Sequence, residues 1–151
     1  MNCTRHLRFD IGLLADRLVD ATNWLKRKAD TSRLRVGYFG ASTGGGAALV
    51  AAAEIGDEIG AVVSRGGRPD LAGDALPKVK SPTLLIVGGL DYPVIRMNED
   101  AYHQLRCQKE LKVVPGATHL LKGPARWKKL LVSQLNGFSA TCGRILSLKE
   151  A

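Results

Sequence analysis

Ser42 stands between two glycines in the segment Gly-Ala-Ser-Thr-Gly at 40–44, where its hydroxyl could act as a nucleophile. Residues 34–39 before it are rich in apolar side chains and predict a strand, whereas the Ala-rich residues 47–55 predict a helix. A G-x-S-x-G motif between a strand and a helix is typical of a nucleophile elbow, a turn too tight for flanking side chains. The helix would bring its positive end and the Thr43 N–H close to a developing oxyanion.

Two residues farther along the chain could activate that hydroxyl, which is a weak nucleophile until a base removes its proton. His119 follows the apolar residues 111–114, and Asp91 follows the apolar residues 83–87 and a Gly-Gly turn. Considered alone, His119 could be a solvated loop histidine and Asp91 could be a simple turn aspartate. The chain order Ser, Asp, His is the order used by α/β-hydrolases, and it leads to the hypothesis of a catalytic triad: Ser42, Asp91 and His119.

The elements that must position these residues alternate between helices and short apolar strands. Such alternation favours an α/β fold, a mostly parallel sheet of about four strands flanked by helices. Ligands bind at the carboxyl ends of the strands in these sheets, and Ser42, Arg65, Asp91 and His119 each come just after a predicted strand. The predicted strands are 34–39, 59–63, 83–87 and 111–114, and the predicted helices are 9–28 with Asp10 as its cap, 47–55, 98–106 and 125–135.

Two arginines in the glycine-rich loop after the second predicted strand could bind substrate. Arg65 and Arg68 both fall at the carboxyl edge of the sheet. A guanidinium pairs with a carboxylate in a two-pronged way, so the sequence predicts that one of them binds carboxylate-bearing substrates. A solvated loop with no binding role is an equally open alternative.

Composition indicates one packed domain in a reducing compartment. The 151 residues are 45% hydrophobic and 24% charged, and the three cysteines are widely spaced with no C-x-x-C. The net charge of +8 is dispersed over small groups at 26–28, 78–80 and 128–129, which argues against a nucleic-acid partner. No apolar stretch approaches the roughly 18 residues of a membrane span, and the first residues lack the apolar run of a signal peptide. We expect a cytoplasmic protein with no membrane partner.

The motifs resemble the dienelactone hydrolase-like branch of the α/β-hydrolases. The resemblance rests on the segments 40–44, 64–73, 82–91 and 114–119, and it extends over about residues 8–130. It implies an ester hydrolase that needs no metal or organic cofactor. The family proper commonly uses cysteine as its nucleophile, so serine makes this chain more similar to a carboxylesterase. Relatives with similar motifs also occur joined to a phosphoribosyltransferase domain, of which this sequence has no trace.

The chain departs from that family before its first predicted helix. A complete member has about four more strands there, and they normally supply the second oxyanion donor. The expectation is a single domain over 1–151, either a fragment or a shortened hydrolase, with a weakly structured tail at 136–151. The strand at 34–39 would then be an unprotected edge, which predicts a homodimer formed through that strand.

Two alternatives belong to other functional classes. The glycines at 40, 44 and 46 also fit the turn of an NADP-binding short-chain dehydrogenase, in which Arg65 would bind a 2′-phosphate. Against it, a helix precedes the glycine strand, no Tyr-x-x-x-Lys pair occurs, and Asp91 and His119 have no role. The second alternative is a catalytically inactive fragment of the hydrolase fold that acts as an interaction module. An active-serine probe should label only the hydrolase, whereas the dehydrogenase should instead bind a nicotinamide cofactor and the inactive fragment should do neither.

Overall fold

Four parallel strands form one sheet, in which the spatial order of the strands is their order in the sequence. The computed structural model of the chain describes residues 9–119. Its helices are α1 (Ile11–Arg27), α2 (Thr43–Ile55) and α3 (Tyr92–Gln104), and its strands are β1 (Val36–Ala41), β2 (Ile59–Arg65), β3 (Thr83–Gly88) and β4 (Lys109–Val114). Segments of 3-10 helix span Gly56–Glu58 and Pro69–Lys78, the second with a kink at Gly73. The predicted α/β fold, a parallel sheet of four strands flanked by helices, is confirmed.

All four carboxyl ends lie at one edge of the sheet because each strand pairs in parallel with the next. Ala41 is in register with Arg65, Arg65 with Ile86, and Ile86 with Lys112. Ser42 follows Ala41 directly, so the chain leaves the sheet at Ser42 beside Arg65. The topology therefore delivers the predicted site residues to a common edge, as expected for a parallel α/β sheet.

The core lies between the helices and the sheet. Tyr38 of β1, Val62 of β2 and Leu85 of β3 belong to one buried cluster with residues of α1, α2 and α3. Val62 and Leu85 are fully buried, and truncating a leucine in such a core to alanine costs about 2–5 kcal/mol. This packing gives the sheet edge a rigid support.

A buried hydrogen bond ties α1 to the edge strand β1. The hydroxyl oxygens of Thr22 and Tyr38 are 2.7 Å apart. Thr22 donates its only proton to the Leu18 carbonyl, so the Tyr38 hydroxyl must donate to Thr22. Burial raises the pKa of the Tyr38 phenol, which favours the protonated form that this bond requires.

The sequence prediction for α1 is confirmed, but that for the start of α2 is wrong. Asp10 caps α1, because its side chain accepts a hydrogen bond from the Leu13 N–H at 3.0 Å. Helix α2 begins at Thr43 instead of residue 47, so its first turn contains the glycines that predicted a turn. A Cβ on Gly45 would overlap the Ser64 hydroxyl, so glycine here permits close packing of the helix.

Helix α3 also begins earlier than its predicted start at residue 98. Pro93 lies in its first turn, a position where proline is favoured. The buried residues Val94, Asn98 and Ala101 recur at helical spacing, a pattern that a polar residue at 98 obscured. Strand β1 lies two residues later than predicted, and each of the other three strands is one or two residues longer than predicted. The predicted helix 125–135 and the tail 136–151 lie outside the described residues.

Candidate active site

Ser42 occupies a strained turn between β1 and α2. Its backbone angles are φ 51° and ψ −126°, and within residues 9–119 it is the one residue other than glycine with a positive φ. Such a conformation costs on the order of 1–3 kcal/mol and is concentrated at functional positions. Ser42 is exposed and its side chain makes no capping hydrogen bond to α2, although serine is a favoured cap. This geometry is that of a nucleophile elbow.

Gly40 makes the close approach within the elbow possible. A Cβ built on Gly40 would overlap the carbonyl group of Gly44 and lie 2.7 Å from the Cα of Gly45. The backbone of α2 therefore passes too close to β1 for any side chain at position 40. This is the physical reason for the first glycine of the motif.

Asp91 and His119 are in direct contact. Nδ1 of His119 lies 2.6 Å from Oδ2 of Asp91, and the Asp91 side chain is 13% exposed. Asp91 precedes α3 at the capping position, yet its side chain makes no capping bond. A carboxylate only accepts hydrogen bonds, so it favours the tautomer with the proton on Nδ1 and leaves Nε2 as the acceptor.

Backbone hydrogen bonds hold the turns of Asp91 and His119 together. The Gly89 N–H donates to the Val114 carbonyl at 2.8 Å, and the Leu90 N–H donates to the Ala117 carbonyl at 3.0 Å. The turn after β3 is thereby joined to the loop after β4. The two side chains meet because adjacent parallel strands deliver these turns to the same sheet edge.

The two predicted substrate-binding arginines differ in their surroundings. Nε and Nη2 of Arg68 donate to the two carboxylate oxygens of Asp70 at 2.7–3.2 Å, and these bonds raise the pKa of Arg68 above its ordinary value. Arg65 Nε, in contrast, is buried and has no hydrogen-bond partner. Arg65 is therefore the arginine whose hydrogen-bonding capacity is not met inside the described part of the chain.

The structure brings the predicted site residues to one edge of the sheet in two groups. Asp91 and His119 form a hydrogen-bonded pair, whereas Ser42 and Arg65 stand at the ends of adjacent strands. Thr43, the predicted oxyanion donor, is the first residue of α2. Sequence reasoning missed Asn98, a fully buried amide of α3 that bonds to the Gly67 carbonyl, because a lone polar residue in a helix carries no recognisable motif.

The expected absence of a metal and of a membrane partner concerns the whole chain and stays a prediction. Within residues 9–119, His, Cys, Asp and Glu side chains form no group of three or more that could hold a metal ion. None of the helices in that range is both long enough and apolar enough to cross a membrane.

Comparison with known families identifies one match over most of the chain. The model of the dienelactone hydrolase family matches residues 6–126. Proteins from two strains of Mycobacterium tuberculosis, provisionally named phosphoribosyl transferases, are 60% identical over 116 residues. That match covers 77% of this chain and 26% of each relative. The chain thus spans about a quarter of the curated relatives that it matches.

Solved structures show the same fold. The crystal structure of a dienelactone hydrolase from Anabaena variabilis is 60% identical, with a TM-score of 0.88, and the match covers 94% of this chain and 65% of that protein. A dienelactone hydrolase-like promiscuous phosphotriesterase from metagenomic libraries is 19% identical, with a TM-score of 0.65 over 87% of this chain and 62% of that one. The second likeness concerns the fold alone.

Proposed function

The chain belongs to the dienelactone hydrolase family, and on that premise we propose that it is a serine hydrolase of the carboxylesterase type, which cleaves small esters through an acyl-enzyme. The observation that carries this proposal is the 2.6 Å contact between His119 and Asp91 at the sheet edge where the strained Ser42 stands. Family membership also argues against the dehydrogenase alternative, because the match to the dienelactone hydrolase family includes the glycines at 40–44. The cytoplasmic location stays a prediction.

The proposed reaction has two acyl-transfer steps. His119 accepts the Ser42 proton as the serine oxygen attacks the ester carbonyl, and Asp91 stabilises the imidazolium that forms. The Thr43 N–H and the positive end of α2 stabilise the oxyanion. His119 then protonates the departing alcohol, which leaves an acyl group on Ser42. A water molecule, deprotonated by His119, releases the acid and restores the serine.

A fluorophosphonate probe tests the proposal directly because it reacts covalently with activated serines. We expect the parent to be labelled at Ser42, and mass spectrometry of the digested protein identifies the modified residue. Ser42→Ala is the matched control and should not be labelled. A folded parent that resists the probe would instead support the inactive interaction module.

Arg65 is proposed as the residue that binds the anionic group of a substrate. Replacing Arg65 with alanine should lower kcat/KM for esters with a terminal carboxylate by roughly 10- to 100-fold, because a hydrogen bond to a charged group contributes about 1.5–3 kcal/mol. Neutral esters of equal length should be affected much less. The measurement is the ratio of kcat/KM for the two ester series.

Two further arginine variants control for the loss of charge. Arg35→Ala removes an exposed cation just before β1, at the opposite end of the sheet, and should leave the ratio unchanged. Arg68→Ala removes a cation already paired with Asp70, so it should alter the ratio less than Arg65→Ala. If Arg65→Ala leaves the ratio of kcat/KM for the two ester series unaltered, Arg65 does not bind the anionic group.

As the protein partner we propose a second copy of this chain, which associates through β1. Within residues 9–119, β2 is the strand that pairs with β1, so the other side of β1 is an edge, and Phe39 on it is 59% exposed. Light scattering across a concentration series should detect a dimer. Phe39→Lys should weaken the association at least tenfold, since pairing would bury the introduced charge.

The opposite edge of the sheet provides the control. Val113 of β4 is 45% exposed, and Val113→Lys should leave a β1-mediated dimer unaffected. A parent that stays monomeric and monodisperse at high concentration would contradict the proposal.

A further inference from the structure

The loop at 66–68 contacts the backbone of both Ser42 and His119. This loop joins β2 to the 3-10 helix Pro69–Lys78, and its first two residues, Gly66 and Gly67, are buried. On one side, the Arg68 N–H donates to the Ser42 carbonyl at 3.0 Å, and that carbonyl also accepts the Gly45 N–H at 3.0 Å. The strained elbow is therefore fastened both to its own helix and to the loop.

On its other side, the loop lies against His119. Gly66 has φ +49°, and a Cβ built on it would lie 2.8 Å from the His119 carbonyl oxygen. Any other residue here would meet both an unfavourable backbone conformation and the His119 backbone. The loop thus packs directly against the segment that carries the proposed base.

Asn98 joins the same loop to the helix that follows Asp91. Its Nδ2 donates to the Gly67 carbonyl at 3.1 Å and to the Val94 carbonyl at 2.8 Å. Both partners are acceptors, so the orientation of the amide follows from its chemistry. Val94 lies in the first turn of α3, directly after Asp91.

The side-chain oxygen of Asn98 indicates that this residue does more than fill space in the core. Asn98 is fully buried, and its Oδ1 has no hydrogen-bond partner among the residues that the structure describes. An unpaired buried acceptor destabilises a protein, and few such groups occur in native structures. The bond from Nδ2 to the Gly67 carbonyl offsets that cost, because it connects α3 to the loop.

We propose that Asn98 is a positioning residue for the hydrolytic site. Through the 66–68 loop it holds the Ser42 elbow and the Asp91–His119 pair in their relative places, and it does not touch the substrate. The proposal rests on the proposed function, since it concerns the same site. Each link is a contact given above, from the Ser42 carbonyl through Arg68 and Gly67 to Asn98 and α3.

The test removes the Asn98 donors and compares the result with the loss of another buried hydrogen bond. Asn98→Leu should reduce both kcat and the rate of Ser42 labelling by a fluorophosphonate by 10- to 100-fold, with KM within twofold of the parent. Thr22→Val deletes the hydroxyl through which α1 bonds to Tyr38 of β1. It should lower the melting temperature, while kcat and the labelling rate stay within twofold of the parent. Parent-like rates in Asn98→Leu, or equal losses in both variants, would overturn the proposal.

A spectroscopic readout keeps this test independent of turnover. The NMR resonance of the His119 Nδ1 proton reports its hydrogen bond to Asp91 whether or not the protein hydrolyses esters. It should shift or broaden in Asn98→Leu and be retained in Thr22→Val. A parent that is not labelled would defeat the proposed function alone, whereas an unchanged resonance in Asn98→Leu would defeat the positioning role.

Two glycines with nearly the same positive φ give a second test of the loop. Gly66 has φ +49° and Gly73 has φ +46°, but a Cβ on Gly73 would meet no atom within 4 Å. Gly66→Ala should reduce the labelling rate at least tenfold, while Gly73→Ala, which also places alanine at a positive φ, should label as the parent does. Equal labelling rates in the two variants would show that the loop does not position the site.

Discussion

Replacing Ser42 with alanine is expected to abolish the hydrolysis of short-chain activated esters while the fold persists. If Ser42 is the nucleophile, no acyl-enzyme can form without its hydroxyl, and losses on the order of 10⁴-fold or more follow removal of such a residue. The fold should survive because Ser42 is exposed and its side chain does not cap α2. Ester turnover and circular dichroism of the two proteins provide the measurement. A variant as active as the parent would contradict the assignment of Ser42 as the nucleophile.

Glycine at the same position is an informative companion variant. Ser42→Gly also removes the proposed nucleophile, but glycine adopts positive φ without the penalty that serine bears at φ 51°. It should therefore be as inactive as Ser42→Ala yet more stable than the parent, by about 1 kcal/mol. A gain in stability together with a loss of activity is the expected result if the backbone strain at Ser42 accompanies a catalytic role.

Replacing Asp91 with asparagine is expected to lower turnover by roughly 10³- to 10⁴-fold with little change in melting temperature. The amide keeps the size of the carboxylate, but it cannot stabilise an imidazolium by charge. It can also donate to Nδ1 of His119, which favours the wrong tautomer for a base. Stability should be retained because the Asp91 side chain does not cap α3.

A surface aspartate controls for the change of charge. Asp57→Asn removes a carboxylate that pairs with Lys80 on the surface, and it should leave turnover unchanged. Kinetics normalised to the folded fraction separate the two effects of Asp91→Asn. If melting falls and turnover per folded molecule is unchanged, Asp91 is a structural turn residue and another acid must orient His119.

The sequence by itself determined the order and type of the main elements between α1 and β4. Apolar runs near 59–63 and 83–87 became β2 and β3 with only small changes at their ends. The cap at Asp10 was recognisable because capping depends on residues three positions apart. The elbow sequence at 40–44 and the chain order of Ser42, Asp91 and His119 were equally readable, since the strand, turn and helix signals around them are local.

Only the tertiary structure decided which polar groups meet. The two loop arginines are indistinguishable by sequence, yet Arg68 pairs with Asp70, whereas the Arg65 Nε has no partner within residues 9–119. Helix α2 begins within a glycine run because Gly45 and Gly46 pack against neighbouring segments, a contact that outweighs the weak helix propensity of glycine. Asn98 bonds to Gly67, a residue 31 positions away. Hydrophobic periodicity and capping are local properties of a chain, whereas such contacts exist only once parallel strands have brought distant turns to one edge.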